Sequence, residues 1–194
     1  IRGALSSGLV GNAYHHSDLG GYTSLYDNVR TAELLMRWSE LSAFSPIMRS
    51  HEGNRPDTNL QLDGDAEVLA HFVAMTKVHA ALVPYVAELC REAAATGLPL
   101  QRPLFLDYED DAGCWGVETQ FAYGRDLIVA PVIEAGAARW SAYLPAGAEW
   151  RHVWSGETFA GGDTVEVAAP IGQPPVFYRT DSAHAALFAG LATL

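Results

Sequence analysis

The sequence predicts an α/β half followed by an all-β half. Three observations carry that prediction. Two short apolar segments, each ending in a polar cluster with glycine, are separated by an amphipathic helix. A long helical stretch follows and stops at Gly97. Beyond it, short β-rich segments alternate with turn residues and no helical pattern intervenes. The first arrangement is the β/α alternation of a parallel barrel or sheet; the second is an antiparallel sandwich.

Leu9-Val10-Gly11-Asn12-Ala13-Tyr14 reads as a buried strand. It runs into His15-His16-Ser17-Asp18-Leu19-Gly20-Gly21-Tyr22, where Gly-Gly lets the backbone approach a ligand closely. Thr31 to Ala43 has Leu34, Leu35, Trp38 and Leu41 at helical spacing, Glu33 in the first turn and Arg37 facing away. Phe44 to Arg49 reads as a second strand, ending in Ser50-His51-Glu52-Gly53-Asn54-Arg55-Pro56.

Asp63-Gly64-Asp65 opens the long helix, with Val68, Leu69, Phe72, Val73, Thr76, Leu82, Val83, Val86 and Leu89 on one broad face. Pro84 requires a kink or a new first turn, and Gly97 with Pro99 is a stop. The expected β-segments are 103–106, 126–133, 140–144, 150–154, 164–167 and 175–178. Ser182 to Leu194 reads as a short terminal helix. The domains are then 1–97, 98–180 and a tail of 181–194.

A net charge of −11 argues against nucleic acid or an anionic membrane as partner. No apolar run is long enough to span a bilayer. Two cysteines, Cys90 and Cys114, form no disulfide framework and fit a reducing, cytoplasmic setting. The opening residue is Ile1 rather than Met, which suggests a longer product.

At the tips of the two expected strands stand Asp18, Tyr22, Arg49 and His51. A carboxylate accepts hydroxyl hydrogens, His and Arg donate to oxygens, and Tyr offers a ring face and a hydroxyl. The mixture suits a small polyhydroxylated ligand such as a sugar, although each residue alone also fits an ordinary loop hydrogen bond. His15, His16, Asp18 and His51 are metal-ligand types, but adjacent strand histidines point to opposite faces, so no metal and no cofactor are expected. The aromatics Trp140, Tyr143, Trp150, Trp154 and Phe177 alternate and so belong mainly to a sandwich core, with a sugar platform as the rival reading.

These motifs resemble glycoside hydrolase family 31. The resemblance rests on Ser17-Asp18-Leu19-Gly20-Gly21-Tyr22, Glu33 to Trp38, Phe44 to His51, Arg102 to Phe105 and Gly124 to Val132. Within the family, His51 to Pro56 and Ala169 to Arg179 are most similar to the bacterial sulfoquinovosidases, which release 6-sulfonated glucose from α-glycosides. The resemblance implies the carboxyl-terminal part of a (β/α)8 TIM barrel followed by a β-sandwich. It implies that Tyr22 helps hold the sulfonate, that His51 bonds a sugar hydroxyl, that Asp18 shapes the pocket floor and that Arg49 stands beside His51. It also implies that the nucleophile and acid/base aspartates lie upstream, so that no catalytic residue is expected here and the partner is the remaining amino-terminal part of the enzyme. An α-glucosidase or α-xylosidase of the same family, and a non-catalytic carbohydrate-binding module, are the alternatives.

Overall fold

The computed structural model describes residues 1–194. The chain opens with a helix, α1 (Arg2–Leu9). The strand expected over residues 9–14 is absent: Leu9 ends the helix and Val10 is 87% exposed. Ile1, Leu5 and Gly8 recur at helical spacing, and Gly8 lets α1 approach Pro99, which a Cβ there would meet at 3.0 Å. Gly11, at φ +101°, then turns the chain away.

Helix α2 (Ala32–Ala43) begins where Thr31 accepts a hydrogen bond from the Leu34 N–H. Its orientation corrects the sequence reading. Leu34 is exposed, whereas Arg37 is buried against Glu40 and donates to the carbonyls of Ala137 and Ala169. The expected strand over residues 44–49 has no ladder. Residues 44–46 turn and bend out of α2, and the segment meets the first polar segment through one backbone bond, Leu19 N–H to Arg49 C=O at 3.0 Å.

Asp65 caps α3 (Ala66–Ala81) through the N–H groups of Glu67 and Val68. Leu82 joins it to α4 (Val83–Thr96), with Pro84 in the first turn of α4 and a bend of 55° between the two axes. The buried stripe is Val68, Met75, Val78, Leu82, Tyr85 and Leu89, while Leu69, Val73 and Val83 are exposed. The expected face was therefore too broad. Gly97, at φ +79°, ends α4.

The remainder is antiparallel. A six-stranded sheet runs in the order β1 (Gln101–Arg102), β2 (Phe121–Tyr123), β3 (Leu127–Val129), β8 (Val176–Arg179), β5 (Glu149–His152), β6 (Thr158–Ala160). A second sheet pairs β4 (Arg139–Leu144) with β7 (Asp163–Ala168). Residues 104–106, expected as strand, form a short 3₁₀ turn instead; Pro103 has no N–H to give a ladder. A closing helix, α5 (Ala185–Gly190), precedes a 3₁₀ turn at Leu191–Thr193.

Period-two alternation explains how the large sheet is buried on both faces. Phe121, Tyr123, Leu127, Val129, Val176 and Tyr178 pack with Met75, Val78, Leu82, Tyr85 and Leu89 of the helices and with Phe188 of α5. The intervening Ala122, Ile128 and Phe177 face the other way, onto Ala142, Leu144 and Val167 of the small sheet. Trp150 and Phe177 are fully buried in this second core, and the Trp150 indole N–H donates to the Pro145 carbonyl. No single helix is long and apolar enough to cross a membrane.

Candidate functional site

Asp18, Tyr22, Arg49 and His51 are brought together. Two backbone bonds lock their segments side by side: Leu19 N–H to Arg49 C=O, and Gly53 N–H to Tyr22 C=O at 2.8 Å. Arg49 Nε lies 3.7 Å from Asp18 Oδ1, and an Arg49 terminal nitrogen lies 2.6 Å from His51 Nδ1. The Tyr22 and His51 rings are 4.9 Å apart at 59°. Tyr22 is 49% exposed, and Arg49 and His51 are also exposed. The four form an open rim, not a closed pocket. An adjoining cavity of about 290 Å³ is lined by His51, Glu52, Arg30 and Asp63 among others. Of the four rim residues only His51 reaches it.

The rim stands on a buried polar frame that sequence reasoning missed. Arg30 is buried and donates through Nε to the Leu60 carbonyl and through a terminal nitrogen to the Leu19 carbonyl. Its other terminal nitrogen is 3.1 Å from Glu52 Oε2. Asn59 donates to the same carboxylate oxygen and accepts from Ser24 Oγ and the Arg30 N–H. Glu52 Oε1 accepts the backbone N–H groups of Asn54 and Arg55. Backbone donation from Arg55, with Asn59, Asn54 and the Arg30 charge, holds the Glu52 carboxyl down to about 2. Ser24 and Asn54 also exchange bonds, N–H to Oδ1 and Nδ2 to C=O. The two loops are thus one hydrogen-bonded body. Its only sequence signal is a set of amide and charged residues in glycine- and proline-bearing loops, where polar side chains complete backbone hydrogen bonding.

Gly20 seats this frame. It lies at φ +75°, and a Cβ there would collide with the Arg30 side chain and meet Leu35. On the other side of the loop, the Trp38 indole N–H donates to Ser17 Oγ at 2.9 Å. His15 and His16 line a separate small cavity with Ser17 and Trp38. No group of three or more His, Cys, Asp or Glu side chains is placed to hold a metal ion. Of the five aromatics that had a platform as an alternative, Trp150 and Phe177 are fully buried, and Tyr143 is tied by its hydroxyl to Asp111.

A rim of donors and one carboxylate, standing on the buried Arg30–Glu52 pair, is chemically fitted to oxygens on a small ligand. Comparison with known proteins gives this geometry a family. Residues 1–89 match the Glycosyl hydrolases family 31 TIM-barrel domain, and residues 97–183 match the Glycosyl hydrolase family 31 C-terminal domain. The chain belongs to glycoside hydrolase family 31. It is 59% identical over all 194 residues to a sulfoquinovosidase of Agrobacterium fabrum and 54% identical to a sulfoquinovosidase of Escherichia coli. It covers 29% and 28% of those two proteins. A solved family 31 sulfoquinovosidase from E. rectale, in complex with the aza-sugar inhibitor IFGSQ, superposes with a TM-score of 0.95 at 45% identity. That match covers 98% of this chain and 28% of the other. The first half is accordingly a portion of a family 31 barrel, and it carries the two polar segments described above.

Proposed function

We propose that this chain supplies one side of the sugar pocket of a retaining α-glycosidase acting on α-sulfoquinovosides. The carrying observation is the convergence of Tyr22, His51 and Arg49 on one rim, next to a carboxylate that Arg49 pairs. In this reading the Tyr22 hydroxyl donates to a sulfonate oxygen and His51 donates to a ring hydroxyl. Asp18 shapes the floor, and Arg49 stands beside His51. The chain's high identity to two sulfoquinovosidases supports the sulfonated substrate.

Retention requires a nucleophilic carboxylate and an acid/base carboxyl about 5 Å apart. Glu52 fits neither role. Both its oxygens are engaged by the loop frame, and its carboxyl is held at about 2, whereas a general acid needs a raised value. We therefore assign both catalytic aspartates to the part of the enzyme outside these 194 residues, which is also the partner of this chain. No metal or cofactor is assigned. The free cysteines Cys90 and Cys114 support a cytoplasmic location. In this reading the division into barrel portion (1–97), sandwich (98–180) and helical tail (181–194) takes its first boundary from the left-handed cap at Gly97 and its second from the end of β8 at Arg179.

The test is hydrolysis of an aryl α-sulfoquinovoside against the matching aryl α-glucoside by the full-length enzyme containing this chain. The sulfonated substrate should be preferred in kcat/KM, with the α-anomer of the free sugar as first product by NMR. Preference for the plain glucoside refutes the reading. The burial of Trp150 and Phe177 speaks against a binding module built on a sandwich platform.

A further inference from the structure

We propose that Gly53 determines substrate specificity by keeping open the space in which the Tyr22 ring lies; this rests on the reading of Tyr22 as a sulfonate ligand. The ring is confined on two sides. His51 packs on it at 4.9 Å, and the Gly53 backbone passes along it. A Cβ on Gly53 would stand 2.5 Å from Tyr22 Cζ, 2.7 Å from Cε1 and 2.8 Å from Cε2. Those separations are inside the contact distance of any two carbons.

The glycine is not there for its backbone. Its φ is not in the left-handed region, unlike that of Gly20 or Gly21, so an alanine there meets no left-handed backbone strain. Nor can the backbones part to relieve the overlap, because Gly53 N–H is bonded to the Tyr22 carbonyl at 2.8 Å and the flanking Glu52 and Asn54 are tied into the loop frame. What can yield is the ring, which is half exposed and free to rotate toward solvent. Restoring ordinary carbon contact requires a shift of about 1 Å at the ring tip, where the hydroxyl sits. A misplacement of that size at a substrate-positioning group lowers catalytic efficiency by up to about 100-fold. Gly53 is therefore a positioning residue acting through Tyr22.

The experiment compares full-length wild type, Gly53→Ala, Tyr22→Phe and the double variant on aryl α-sulfoquinovoside and aryl α-glucoside. Gly53→Ala should fold, with circular dichroism unchanged. It should lower the sulfoquinovoside-to-glucoside ratio of kcat/KM by about 10-fold to 100-fold, mainly through KM. In the Tyr22→Phe background the same alanine should change the ratio by less than about twofold, because the hydroxyl it displaces is gone. A ratio unchanged in Gly53→Ala, or an equal fall with and without the tyrosine hydroxyl, overturns the inference. So does an unfolded Gly53→Ala, since the ring and not the fold must give way. A preference lost in Tyr22→Phe but kept in Gly53→Ala defeats this inference alone. A wild type that favours the plain glucoside defeats the functional reading, and this inference with it.

Discussion

Replacing Glu52 with glutamine isolates what holds the rim in place. The side chain keeps its size and loses its charge. In the native loop Oε1 accepts from the Asn54 and Arg55 N–H groups at 3.2 and 3.0 Å. Oε2 accepts from Asn59 Nδ2 at 3.0 Å and faces Arg30 at 3.1 Å. An amide has one acceptor oxygen, so either the two backbone donors or the Asn59–Arg30 pair must face an NH₂ group. The side chains of Arg30 and Glu52 are only 4% and 13% exposed, so solvent screens this loss weakly. Removing one partner of a buried pair costs about 3–5 kcal/mol, and the remaining acceptor oxygen brings the expectation to about 2–4 kcal/mol. Local opening of the two loops then becomes about 30-fold to 700-fold more populated. Amide hydrogen exchange of the full-length protein reads this directly, in peptides spanning residues 22–30 and 52–60, while peptides of α4 and the large sheet serve as controls. The pH dependence follows from the sign of the shift. The folded value of about 2 lies below the ordinary 4.5. The stabilisation is thus complete above about 4.5 and is lost as pH falls from there towards 2. Wild-type protection in these loops should decline across that window towards the level of the glutamine variant, whose own protection stays flat. Exchange in both loops within threefold of wild type at pH 7 would refute the frame as described.

Two further expectations use the same physics. Gly20→Ala forces a Cβ into the left-handed region and into Arg30, a loss of about 2–4 kcal/mol, which a thermal melt of the full-length protein should register; an unchanged Tm refutes the close approach. Arg37→Met strips the cation from buried Glu40, whose carboxyl is already raised, chiefly by burial. A raised carboxyl gives most stability below its unfolded value and loses it as pH rises. The variant also loses the bonds to the Ala137 and Ala169 carbonyls at every pH, so it should lose about 3–5 kcal/mol near pH 8 and a smaller, residual amount near pH 5, read as a Tm difference that widens with pH. A difference independent of pH rejects the buried pair.

Local signals carried much of the architecture. The helix starts at Thr31 and Asp65, the break before Pro84 and the stop at Gly97 lie where the sequence puts them, and the structure shows each made by one residue's own chemistry. The four rim residues were legible for a similar reason: glycine-bearing loops after apolar segments announce themselves. What failed was whatever depends on distant partners. Residues 9–14 and 44–49 look like strands by composition, but a strand needs a ladder, and no backbone bond joins these two segments. Arg37 looked solvent-facing because helical periodicity says nothing of carbonyls 100 and 132 residues away. Strands β2 and β6 are three residues each, too short for any alternation to register. The Arg30–Glu52–Asn59 frame has no periodicity at all.

The large sheet presses one side against helices α3 and α4 and the other against the β4–β7 pair, so a cut at residue 97 would divide a single apolar interior. Chimeras that exchange only the β-rich part between family members should aggregate, because Phe121, Tyr123 and Val176 would meet foreign helices of the wrong shape. Grafts that carry α3, α4 and the strands together should travel intact. In evolution, too, these two segments are expected to drift as one block.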